Sequence, residues 1–184
     1  MKSLATVDVY FSPNGGCTKA ITDLINKSKM SILVQSYSFT SLPIAKALGK
    51  AVERGVYVII LIDSKQCGNA SEVMLRSGVE ILYDAKHSIA HNKIIIIDRQ
   101  VLITGSFNFT YAAENKNAEN VLVIRGHDVV EQYYQNWKRH QVHSTKEIKK
   151  VKNAGTSRRS PNKVKDGRSN LRNVQSKGRC GTRS

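Results

Sequence analysis

Seven consecutive residues, VYVIILI at 56–62, constrain this chain more than any other stretch. The run is short for a buried helix and rich in β-branched side chains, so it reads as a strand. It does not alternate with polar residues, so both faces of that strand are buried. A sheet with helices above and below meets that requirement.

The flanking pattern agrees. VDVYF (7–11) alternates as a strand does, and SPNGG (12–16) marks a turn. Residues 17–29 carry Ala20, Ile21, Leu24 and Ile25 on one helical stripe. SILVQSYSF (31–39) reads as a buried strand, and 42–54 as a helix capped by Gly55. The strand 56–62 ends at Asp63, a short helix is expected over 69–76, and VEILYD (79–84) is the next strand. This βαβαβαβ series is the mark of a layered α/β domain. The second half differs. IAHNKIIIID (89–98) and VLITGS (101–106) are strands joined tightly at residues 99–100, which predicts a hairpin and a mixed sheet. A polar loop over 107–118, a strand over 119–125 and a helix over 128–140 complete the unit. The expected fold is α/β, a mixed central sheet flanked by helices on both faces.

Charge divides the chain at residue 144. Residues 1–144 hold 16 basic and 12 acidic side chains, a net of +4. Residues 145–184 hold 13 basic and 2 acidic ones, a net of +11. That tail has no Phe, Tyr or Trp, and burial cannot offset the entropy of ordering it. The expected organisation is a folded domain over 1–144 and a basic, disordered tail over 145–184. Such charge favours an anionic partner: nucleic acid, a membrane surface or an acidic protein. The plain alternative is a solubilising tail.

No stretch approaches 18 apolar residues, so no spanning helix is expected. The start, MKSLATVDVYFSPNGG, lacks a continuous signal core. The cysteines, Cys17, Cys67 and Cys180, are too sparse and odd in number for a disulfide framework. These features favour the cytoplasm; a removed signal peptide would place the chain in the periplasm or outside the cell. No glycine fingerprint for dinucleotides and no phosphate loop is present, so no cofactor is expected. No paired cysteines and no histidine–carboxylate cluster with zinc spacing stand out, so no metal is expected either. His87 reads as a rim residue, and His127, His140 and His143 have no setting like that of His91.

The polar residues at the head of an apolar strand are the most informative. His91 and Lys93 precede Ile94-Ile95-Ile96-Ile97, and on a strand they point to one face. Lysine is rarely buried without a partner, so both side chains should emerge together into a cleft. A histidine there can act as nucleophile or proton carrier, and a lysine can neutralise a bound phosphate. The plain alternative is a sheet-end pair facing solvent. A second polar set, Thr104-Gly105-Ser106-Phe107-Asn108, offers hydroxyl, amide and backbone N–H groups to phosphate oxygens, or else forms a self-bonded turn.

His91-x-Lys93-x4-Asp98, followed by Gly105-Ser106-x-Asn108, resembles the signature of the phospholipase D superfamily. QSYSF (35–39), TGSFNFT (104–110) and KNAEN (116–120) resemble its small bacterial endonucleases, which carry one such motif per chain. The likeness covers residues 5–140, with Thr104 where many relatives have glycine. The resemblance implies a metal-independent phosphodiesterase working as a homodimer, with one active site built from two motifs. It implies His91 as nucleophile in one subunit and as acid and base in the other. Lys93 and Asn108 would bind phosphate oxygens, with Ser106 and Gly105 close by, and Glu119 would orient His91. Asp98 is included in the site as a structural or electrostatic support. The leading expectation is an endonuclease for DNA, with RNA as a further substrate. The alternatives are a hydrolase of anionic phospholipid such as cardiolipin, with the tail on a membrane surface, and a non-catalytic nucleic-acid-binding protein.

Overall fold

Alternation along each apolar run divides the core into two layers. Ile32, Val34, Val58, Ile60, Ile62, Ile95 and Ile97 pack on one side of the sheet, and Leu33, Ile59, Leu61, Ile94 and Ile96 on the other. In the computed structural model, which describes residues 4–66, 73, 74 and 76–146, these runs form one mixed sheet. Its strands are β1 (Thr6–Ser12), β2 (Ser31–Ser36), β3 (Tyr57–Asp63), β4 (Glu80–Asp84), β5 (Lys93–Ile97), β6 (Val101–Gly105) and β7 (Glu119–Arg125). Their spatial order is β1-β7-β6-β5-β2-β3-β4. β2, β3 and β4 run parallel; β5 is antiparallel to β2 and β6, and β7 to β6 and β1.

Helices α1 (Cys17–Asn26) and α2 (Leu42–Glu53) cover the first layer through Ile21, Ile25, Ile44 and Leu48, all fully buried. A long helix from His127 to His143 covers the second through Val130 and Trp137. The Trp137 indole N–H donates to the Val34 carbonyl at 2.9 Å, so its one polar atom is satisfied in the core. The expected α/β sheet with helices on both faces is the fold observed. None of the described helices is long and apolar enough to cross a membrane.

Several local expectations are corrected. The strand expected over 89–98 begins only at Lys93; residues 85–92 form a loop held by side-chain bonds from other strands. The strand expected over 31–39 stops at Ser36, because Phe39 leaves the sheet to bridge Phe109. Helix α1 ends at Asn26 rather than residue 29, since the Lys29 amide is bound by Asp98. The loop expected over 107–118 contains a short helix, α3 (Tyr111–Asn115), whose cap Thr110 accepts a bond from the Ala113 amide at 3.1 Å. The long helix, α4 (His127–His143), extends past its expected end at residue 140. The helix expected over 69–76 falls mostly outside the described residues, as does the tail from residue 147 onward.

Candidate active site

Strand register gathers the polar residues along one edge of the sheet. Ser36, the last residue of β2, is paired with Lys93, the first of β5. Thr104 pairs with Ile94, and Gly105 at the end of β6 pairs with Val121. Glu119 opens β7 opposite Ser12, which closes β1. Asp63 and Asp84, also paired, end β3 and β4 at this same edge. Strands of both directions therefore bring their polar ends to one line.

Lys93 shares the parity of Ile95 and Ile97 and is only 6 % exposed. Its ammonium donates to the His91 carbonyl at 2.6 Å and lies 5.6 Å from the centre of the Tyr37 ring. Burial pushes the ammonium below the ordinary lysine range, and the Glu119 carboxylate opposes that shift. His91 stands before the strand, not on it, and its exposed ring lies 4.8 Å from that of Tyr37. The Tyr37 hydroxyl in turn accepts a bond from Gln66 at 3.1 Å. The loop into His91 is fixed by the buried Asp63, whose carboxylate accepts the Ala90 amide at 2.7 Å. Tyr37 and Asp63 belong to the site's surroundings: Tyr37 lies within the QSYSF stretch, to which no role was assigned, and Asp63 lies in none of the family-like stretches. The signal available was an aspartate at the end of an apolar strand and a tyrosine just beyond another.

Gly105 has φ +148°, and a Cβ there would lie 2.2 Å from the Asn120 carbonyl oxygen. Only glycine lets β6 and β7 approach so closely. Ser106 is exposed, and its oxygen accepts the Asn120 amide at 3.1 Å while its own proton remains available to a ligand. Asn108 does not spend its side chain on a turn: among the described residues its buried amide oxygen has no hydrogen-bond partner. The loop holding both is tied to β2's extension by the Thr40 and Ser41 amides, each 2.9 Å from the Phe109 carbonyl. Glu119 accepts a bond from Asn117 at 3.1 Å and acts on Lys93 through its charge. Among the described residues of one chain, it makes no hydrogen bond to His91.

Asp98 does not join this group. It lies at the other end of β5, roughly 16 Å from Lys93 along the strand. Its carboxylate accepts the amides of Met30 at 2.7 Å and of Ser31 and Lys29 at 2.9 Å, stitching the hairpin tip to the start of β2. Burial would raise its pKa, but these backbone bonds outweigh it and hold the carboxyl below the usual aspartate range.

A second polar cluster corrects the expectation that no histidine–carboxylate set exists. Asp84, His87, His140 and His143 bring one candidate ligand atom each within 4.8 Å of the others. Burial of Asp84 opposes its ionisation, but bonds from His140, His87 and His143 prevail and hold its carboxyl well below the usual range. The signal in the sequence was two pairs spaced by three, Asp84 with His87 and His140 with His143.

Residues 21–141 match the family described as cardiolipin synthase, PLD-like domain. A curated relative named phospholipase D, from Rickettsia conorii, is 44% identical over 138 residues, covering 73% of this chain and 69% of its own. Among solved structures, a phospholipase D family member, Nuc from Salmonella typhimurium, superposes with a TM-score of 0.72 at 37% identity, over 77% of this chain and 97% of its own. NucT from Helicobacter pylori has the same fold, with a TM-score of 0.70 at 19% identity, over 77% of this chain and 99% of its own.

Proposed function

The chain belongs to the phospholipase D-like family, and on that premise we propose that it is a metal-independent endonuclease that hydrolyses phosphodiester bonds of DNA, with RNA as a further substrate. The reading rests on one observation above others: an exposed imidazole, His91, beside an ammonium, Lys93, that is anchored to the His91 carbonyl. In the proposed reaction, a ring nitrogen of His91 attacks phosphorus and forms a P–N bond. The P–O bond to the leaving strand breaks, and that oxygen takes a proton from the partner's His91. Water then attacks the phosphohistidine, losing its proton to the partner's His91, and His91 leaves free. Covalent catalysis divides one difficult displacement into two, and Lys93 offsets charge where it grows on the phosphate oxygens. Asn108, Ser106 and the Gly105 backbone supply further donors to those oxygens. The nucleophile and proton carrier are both imidazoles, so the scheme needs no metal-bound hydroxide.

A single chain offers one His91, and a C₂ pair supplies the second. The edge strand β1 also leaves Val7, Val9 and Phe11 48, 48 and 65 % exposed on the face away from Tyr10, an apolar surface open to a partner. The tail of net charge +11 suits phosphate contacts on nucleic acid, and its lack of aromatic and amphipathic apolar wedges gives a membrane little to hold, which favours nucleic acid over lipid. The name phospholipase D carried by the Rickettsia relative, with the cardiolipin synthase description of the matching family, favours a second reading, hydrolysis of an anionic phospholipid such as cardiolipin.

The test is an acid-free quench during turnover of labelled DNA, followed by mapping of the phosphorylated residue. Label is expected on His91. The His91→Ala variant should bind DNA yet cleave it at least about 10³-fold more slowly. Cleavage at the parental rate would sink the mechanism. Cardiolipin vesicles assayed in parallel separate the two substrates.

A further inference from the structure

We propose that Asp84, His87, His140 and His143 form a binding site for one divalent transition-metal ion of the zinc class, which clamps the loop leading to His91.

The donor atoms converge on a common point. Asp84 Oδ2 lies 2.9 Å from His87 Nδ1, 3.1 Å from His140 Nδ1 and 3.2 Å from His143 Nε2. Tetrahedral zinc with bonds of about 2.0–2.1 Å has ligand–ligand edges of about 3.3–3.4 Å. The three oxygen–nitrogen edges are close to that length, and small rotations of the rings shorten the nitrogen–nitrogen ones. Three imidazoles and one carboxylate are a donor set that suits zinc.

Hydrogen bonding alone accounts poorly for the arrangement. A carboxylate offers about four lone-pair positions, two on each oxygen. Oδ1 already accepts the amides of Lys86 at 3.0 Å and His87 at 3.3 Å. Three ring nitrogens then crowd the two positions of Oδ2, and each would have to carry a proton. A cation reverses the demand, since every ring presents a lone pair to it.

The frame is rigid where it should be and open where an ion must enter. Asp84 is 1 % exposed at the end of β4. The neighbouring Tyr83 and Thr145 exchange backbone bonds of 2.7 and 3.1 Å, fixing the end of α4 beside it. His140 and His143, one helical turn apart, share a face. The His87 side chain is 41 % exposed and gives the ion its path. Four protein ligands close the coordination sphere, which marks a structural ion rather than a catalytic one. Bound there, the ion joins β4, α4 and the 85–92 loop. That loop is held at its other end by the bond from Ala90 to Asp63, one residue before His91.

The full chain, stripped with a chelator and returned to buffer, is titrated with Zn²⁺ by calorimetry and with Co²⁺ by visible absorption. One equivalent per chain, a tetrahedral Co²⁺ spectrum and a Zn²⁺-dependent rise in Tm are expected. His87→Ala and His143→Ala should each weaken Zn²⁺ binding by more than about 100-fold, beyond the 10–100-fold that outer partners cost. Because His143→Ala can fail to fold, His87→Ala on the exposed loop carries the test. His91→Ala, and Cys67→Ser with Cys180→Ser, should bind as the parent does. No binding by the parent, or parental binding by His87→Ala, overturns the proposal and leaves a hydrogen-bonded hub only. The readout is metal, not cleavage, so its failure leaves the His91 reading untouched.

Discussion

Lys93 carries an ammonium that water barely reaches, at the head of a strand otherwise made of isoleucine. Burying that charge costs stability, and the His91 carbonyl and Glu119 offset only part of the cost. Lys93→Met should therefore melt at or above the parental temperature by circular dichroism, yet lose about 10²–10³-fold in single-turnover cleavage. A large fall in Tm would show that Lys93 serves the fold instead. Asp98 makes the opposite case. Its carboxyl has a lower pKa folded than unfolded, so its stabilisation is complete above the ordinary value of 3.8. Below that value the unfolded chain binds more protons, and the stabilisation is lost as pH falls through the folded pKa. Asp98→Asn should cost about 1–2 kcal/mol at pH 7 in urea unfolding, and the parent's advantage should shrink in acid. Its cleavage rate per folded molecule should match the parent's.

Elements are joined by side chains that belong to distant segments. Helix α1 has no cap of its own; Glu114 of α3 accepts the Gly16 and Thr18 amides at 3.2 and 2.6 Å. Gly105 holds β6 against β7, and Gly105→Ala should destabilise by at least about 2 kcal/mol and displace Ser106 and Asn108. A parental Tm for that variant would show that the strands can part without cost. Strands β3 and β5 and the hairpin to β6 were legible in the sequence because apolar runs and their alternation are local signals. The hairpin tip turns through Asp98 and Arg99, both at φ +53°, the left-handed pair that a tight antiparallel connection favours. What could not be read locally is the loop before Lys93, shaped by carboxylates of β3 and β4. The Asp84 cluster was hidden for the same reason, since His140 lies 56 residues from its partner. His91 and Lys93 stood out as polar residues heading an apolar run, and Asn108 and Glu119 were carried over by the family resemblance, whereas Asp63 became visible only once strand register placed it.

At the scale of the molecule, most of the net charge and the proposed site occupy different stretches of chain. Truncation after Lys146 keeps the Thr145 bridge to Tyr83 and the Lys146 ion pair with Glu80, while removing 12 basic and 2 acidic residues. DNA binding should weaken, and its salt dependence should flatten by about 0.9 in log–log slope for each phosphate that the tail had neutralised. The rate of bound substrate cleavage should stay within about twofold. An unchanged salt slope would mean that the tail does not touch nucleic acid. Register places the polar strand ends on one edge of the sheet, and the hairpin tip with exposed Gln100 on the other. Anyone wishing to tether this protein to a bead, an electrode or a dye thus has a natural handle: attachment at Gln100 points the working edge outward, away from the support.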